Sequence, residues 1–156
     1  MAIQEQKSAV LAEAQTWMGT PFRDGAMVKG QHGGVDCSYL LKACYCGHGA
    51  PDTVDLPLYN LQFMLNRIDE TYIEELLKYY REIRAEETMA ADVCLLRWGH
   101  IYSHGMILLE PWPGRVIHAL NPFGVIESNG AIDSRIVATV RKYRDSPPRF
   151  FRILGW

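Results

Sequence analysis

The chain has 156 residues, 48% of them hydrophobic and 22% charged, with a formal net charge of −2. A chain of this size buries roughly 68–70% of its unfolded surface, enough for one self-sufficient core, so residues 1–156 read as a single domain. Lys and Arg are scattered apart from Arg141, Lys142 and Arg144, which argues against nucleic acid or an anionic membrane as a partner.

No apolar run approaches the roughly eighteen residues that a membrane span needs. The N-terminal stretch MAIQEQKSAVLAEAQTWMG lacks a basic start, an apolar segment and a small-residue cleavage site, so it does not read as a secretory signal. The four cysteines are too unevenly placed for a disulfide framework. The expectation is a chain made in a reducing cytoplasm.

In chain order, Val10, Leu11, Ala14, Trp17 and Met18 recur at helical spacing, so residues 4–18 predict an amphipathic helix, ended by Gly19 and Pro21. The glycine-rich stretch 23–35 has no periodicity and reads as a loop. A second helix is expected from Cys37 to Cys46, broken by Gly47 and Gly49. Leu58, Leu61, Met64, Leu65 and Ile68 suggest a third, with Pro57 near its first turn. Thr71 with Glu74 forms a possible capping box opening a fourth, whose face is Ile73, Leu76, Leu77, Tyr80 and Ile83.

The second half changes character. DVCLLRW, HGMILLE, RVIHAL, GVIES, RIVATVRKY and RFFRIL are short, rich in β-branched or aromatic residues, and separated by turn signals such as EPWPGR and NPFG. Helices followed by strands predict an α+β domain with a mainly antiparallel sheet, carrying an extra helical insert at about 56–87.

The chemistry centres on GGVDCSYLL, residues 33–41. Asp36 suits an N-cap, which makes Cys37 the first helical residue. Free N–H groups and the positive helix end there favour a thiolate and would steady an oxyanion beside the sulfur. The neighbouring Asp36 carboxylate opposes this by raising the thiol pKa, so an imidazolium is needed to outweigh it. His104 opens one predicted strand and His118 lies in the next. A hairpin around EPWPG would make them neighbours, with His104 as general base toward Cys37 and His118 orienting it.

These residues carry a resemblance. GTPFRDGAM…GGVDCSYLL, then ADVCLLRW, YSHGMILLE and RVIHAL are similar, in order, to the motifs of the NlpC-type family of cell-wall cysteine peptidases, over residues from about 8 to about 128. The resemblance implies a papain-like α+β fold and hydrolysis of amide bonds in peptidoglycan stem peptides, most often between D-glutamate and the diamino acid. It implies Cys37 as nucleophile, His104 as base and His118 as third member, with Asp36, Ser103 and Phe22 lining the substrate site, and no cofactor. The chain departs from the pattern in having Phe22 where Tyr is usual, bulky Tyr39 after Ser38, and a long Cys37–His104 separation.

A bare domain of this kind resembles members carried by phage tails and related gene-transfer particles. That implies tail or baseplate proteins as partners, and incorporation into a virion. Two other functions stay open: a catalytically weak structural tail component, and a Cys–His amidase or acyltransferase on another acyl substrate.

Other features read more plainly. Cys44, Cys46 and Cys94 are expected in the core. CYCGH at 44–48, with His32 nearby, invites zinc, but a Cys-x-Cys within one helix splays its thiolates, and no second pair has ligand spacing, so no metal site is expected. His32, His48 and His100 read as solvated, Asn121 as a substitute third member, and Trp98 and Trp112 as packing residues with a groove as the alternative.

Overall fold

The computed structural model describes residues 2–47 and 69–156. Helix α1 spans Ile3–Thr16 and buries Val10 and Ala14, while Met18, expected on its apolar face, is exposed. Gly19 follows it at φ +84°, a left-handed conformation that suits glycine and turns the chain away. The stretch expected as a loop instead carries a small antiparallel hairpin, β1 (Met27–Val28) against β2 (Gly34–Val35). Helix α2, Cys37–Tyr45, then begins on its cap Asp36, as expected.

The predicted helix at 58–68, with Pro57, lies outside the described residues, as does His48. The fourth predicted helix is corrected: α3 covers only Thr71–Leu76, and β3 (Tyr80–Ile83) follows it. Glu70 occupies the cap position, and the Thr71 hydroxyl donates to Asp69. Tyr80 and Ile83 fit a helical spacing, but their backbone finds a ladder with the last strand, and Tyr80 packs edge-on against Tyr45 at 5.8 Å. Sheet pairing overrides the local period there.

Strands β4 (Val93–Trp98), β5 (Ile101–Leu108), β6 (Arg115–Leu120) and β7 (Gly124–Asn129) form an antiparallel meander. RIVATVRKY, read as a strand, is instead the body of helix α4, Ser134–Lys142. Asp133 caps it by accepting from the N–H groups of Arg135 and Ile136, and Ile136 with Val140 four residues on forms its apolar edge. Strand β8 (Arg149–Ile153) slots between β3 and β4, giving the described sheet the order β3-β8-β4-β5-β6-β7.

Both sheet faces are covered. On one, α1 and α2 pack Val10, Ala14, Leu40 and Leu41 against Leu95, Ile107, Ile117 and Ala119. On the other, Ile136 of α4 closes a second cluster with Leu96, Met106, Leu108 and Phe150. Helices in front of an antiparallel sheet bear out the α+β expectation; the covering of the rear face by α4 is a feature the sequence reading missed. No helix among the described residues is long and apolar enough to cross a membrane.

Candidate active site

The site is built where two strands part. Strand β5 pairs with β4 along its length, but with β6 only through Ile107–Ile117 and Leu108–Val116. Beyond that point the backbone of residues 103–105 has no ladder partner on the β6 side, and the N-terminus of α2 meets it there. The Cys37 thiol donates to the Ser103 carbonyl at 3.4 Å.

Asp36 fixes that helix end. Its carboxylate accepts from the Tyr39 N–H at 2.9 Å, the Ser38 hydroxyl at 2.9 Å and the Gly25 N–H at 2.8 Å. One buried side chain thus caps α2 and ties the 23–35 segment to it. Phe22, half-buried, makes a bridge to Val35 on the same segment. Gly105 lies against α2 with no room for a side chain: a Cβ there would come within 2.7 Å of Leu41 Cδ1.

The electrostatics of the sulfur depart from the thiolate expected at a helix tip. Burial, then the Asp36 charge, push the Cys37 thiol up to about 12, while the backbone N–H groups of Gly105, Cys37 and Ser38 pull the other way. Cys37 is 2% exposed, so the burial penalty wins and the resting group is a thiol.

The two histidines meet as expected. His104 Nε2 lies 2.8 Å from His118 Nδ1, bridging the gap between β5 and β6, and His118 Nε2 lies 2.8 Å from Ser128 Oγ on β7. They are not ladder partners; the approach happens where the strands have separated. Burial, and for His104 also its neighbour His118, hold that ring well below the ordinary imidazole range; burial lowers His118 to about 4. The thiol's hydrogen-bond partner is not His104, its expected base, but the carbonyl one residue before it.

Behind the rings lies a cavity of about 200 Å³, walled by Trp98, His104, His118, Asn121, Phe123 and Arg135 among others. Trp98 stands edge-on to His104 at 5.2 Å, so its place is at the site. Trp112 packs instead on Phe150. Asn121 reaches the cavity wall beside His118 and holds no hydrogen bond to either ring.

The Ser103 hydroxyl donates to the Trp98 carbonyl, closing the β4–β5 turn. His32 and His100 are exposed. Cys44 and Cys94 are buried, and Cys46 half-buried. Among the described residues no group of three or more His, Cys, Asp or Glu side chains is arranged to hold a metal ion. Ser128 was missed by the sequence reading, because nothing in GVIES distinguishes a hydroxyl aimed at a neighbouring strand from a surface serine.

No protein-family model and no curated protein matches the sequence. Solved structures do resemble the fold. A Staphylococcus aureus protein similar to a lipoprotein of the NLP/P60 family superposes with a TM-score of 0.62 at 22% identity, over 97% of this chain and 42% of that one. The present chain therefore spans less than half of that protein. The peptidoglycan hydrolase RipB of Mycobacterium tuberculosis gives 0.66 at 18% identity, over 99% of this chain and 67% of its own. RipD of the same organism, a non-catalytic NlpC/p60 domain protein adapted to peptidoglycan binding, gives 0.62 at 16%, over 97% and 99%. At these identities the likeness establishes the architecture: the chain has the α+β fold of NlpC/P60 domains.

Proposed function

We propose that the protein is a cysteine peptidase that hydrolyses amide bonds in the peptide stems of peptidoglycan, with Cys37 as nucleophile, His104 as base and His118 as the group that orients it. The observation that carries this reading is the seating of a capped helix-tip thiol on the backbone flanking His104, at the gap that the His104–His118 pair bridges.

In the reaction, the Sγ–H turns from the Ser103 carbonyl to His104 Nδ1 and gives up its proton as sulfur attacks the scissile carbonyl carbon. The N–H groups of Cys37, Ser38 and Gly105 are the nearest donors for the charge that develops. Collapse expels the amine, which takes the proton from His104 and leaves a thioester. Water, activated by the same ring, then releases the acid and restores the thiol. Because burial disfavours both ions, proton transfer accompanies attack instead of preceding it as a standing thiolate–imidazolium pair.

The narrower reading, the D-glutamyl–diamino acid bond and delivery by a phage-like tail with baseplate proteins as partners, rests on the sequence resemblance alone. The test of the main reading is digestion of purified sacculi, with released stem fragments identified by mass spectrometry. Wild-type protein releases fragments and Cys37→Ala none. Intact sacculi with wild-type protein, or equal release by the variant, rejects it.

One observation favours a second reading, a non-catalytic wall-binding domain: the thiol is buried and hydrogen-bonded to a carbonyl, not to an imidazole. Retention on sacculi without fragments, unchanged in Cys37→Ala, selects it.

A further inference from the structure

The peptidase reading, on which this inference rests, needs His104 to present an unprotonated Nδ1 to the thiol. Nothing within that ring decides which nitrogen carries the hydrogen. The decision falls to its neighbours: His104 Nε2 to His118 Nδ1 at 2.8 Å, and His118 Nε2 to Ser128 Oγ at 2.8 Å. The three side chains come from the consecutive strands β5, β6 and β7, and all are buried.

A neutral imidazole has one N–H, so two neutral rings and one hydroxyl can be strung in only two ways. In the first, the Ser128 hydroxyl donates to His118 Nε2, His118 Nδ1–H donates to His104 Nε2, and His104 holds its hydrogen on Nδ1. That leaves a hydrogen on His104 Nδ1, the nitrogen that the peptidase reading needs bare to take the thiol proton. In the second, His118 Nε2–H donates to Ser128 Oγ, His104 Nε2–H donates to His118 Nδ1, and His104 Nδ1 is a bare lone pair. Only a hydroxyl hydrogen is then left to place. It rotates freely on Ser128, the most exposed of the three at 7%.

We propose that Ser128 is a positioning residue: its oxygen holds the His118 Nε2–H, and through the His118–His104 bond it keeps the lone pair of His104 Nδ1 available to the Cys37 proton. It touches no substrate, and acts by choosing the tautomer of both rings. Across the three strands the order of hydrogens becomes part of the fold.

The test is ¹⁵N–¹H long-range correlation of the imidazole nitrogens, which needs no substrate, on wild type, Ser128→Ala and Ser128→Thr. The wild type is expected to show His104 protonated at Nε2 and bare at Nδ1. Ser128→Ala is expected to mix or invert the tautomers, and Ser128→Thr, which keeps the hydroxyl, to restore them. On sacculi, Ser128→Ala is expected to lower kcat about tenfold with KM nearly unchanged, and Ser128→Thr to recover it.

A wild-type His104 protonated at Nδ1, or a Ser128→Ala spectrum identical to wild type, overturns the proposal. Should Ser128→Ala not fold, Ser128→Cys, a weaker acceptor, takes its place beside the wild-type spectrum. Intact sacculi together with the expected tautomers reject the peptidase reading while leaving the placement of hydrogens standing, so the two failures are distinguishable.

Discussion

The Cys37 sulfur and the Ser103 carbonyl oxygen stand 3.4 Å apart, and that contact places a helix tip against an unpaired stretch of strand. The thiol is parked on the backbone next to His104, with burial and Asp36 holding its proton in place.

Alkylation should report this parking. Cys37 is expected to resist iodoacetamide at pH 7–8, since an ordinary thiol titrates near about 8.5 and Cys37 is pushed up to about 12. Peptide mapping of modification against pH checks it. Rapid labelling of Cys37 at neutral pH would show a thiolate already formed.

Replacing Asp36 by Asn separates its two roles. The amide still caps α2, but its NH₂ cannot accept the Gly25 N–H now held at 2.8 Å. A loss of about 1–3 kcal/mol in urea unfolding is expected, together with a downward shift of the Cys37 alkylation midpoint as the neighbouring charge disappears.

The buried histidines make stability depend on pH. His118 titrates near 6.5 when unfolded and near about 4 when folded, so below pH 6.5 the unfolded chain binds more protons and stability falls with pH. The contribution is intact above about pH 6.5 and is lost between 6.5 and about 4, at about 1.4 kcal/mol per pH unit. His104, lowered for the same reason, steepens the fall. Thermal unfolding from pH 4 to 8 should show the slope, and His118→Gln should flatten it.

The Arg152 guanidinium grips Asp92 with Nε to Oδ1 at 2.9 Å and a terminal nitrogen to Oδ2 at 2.7 Å, and also donates to the Glu87 carbonyl. Asp92 is fully buried. Arg152→Ala is expected to cost about 3–5 kcal/mol by stranding that carboxylate, and Asp92→Leu with Arg152→Met to recover most of it. A double-mutant cycle by denaturant titration measures the coupling.

Gly124 stands at φ +82°, and a Cβ there would lie 2.5 Å from the Thr20 carbonyl oxygen. That oxygen accepts the Val125 N–H, while Gly19 N–H donates back to Val125. Gly124→Ala is therefore expected to destabilise by about 2 kcal/mol or more, loosening the end of α1 from β7. Amide exchange at Gly19 and Val125 would locate the loss.

What the sequence made legible follows from how locally each feature is encoded. Asp36 caps α2 because its carboxylate reaches an N–H three residues on, and that spacing is visible in a string of letters. The His104–His118 meeting was legible because a hairpin turn lies between them. Tyr80 and Ile83 misled because their spacing suits a helix, and only the arrival of β8 from some seventy residues away makes them a strand. RIVATVRKY misled in the opposite sense, its β-branched residues overruled by Asp133 and by the apolar edge Ile136–Val140. Ser128 and the parking of the thiol on Ser103 depend on strand splaying, which no periodicity records.

The position of β8 has a consequence for synthesis. Strands β4 to β7 are consecutive neighbours and can zip together as they leave the ribosome. β3, however, waits unpaired until Arg149–Ile153 have been translated and inserted between it and β4. Until then one edge of the meander and both edges of β3 are open to other chains. Arg149 and Arg152 bring to that insertion the charges that meet Glu82 on one neighbour and Asp92 beside the other, so the inserting strand carries its own address.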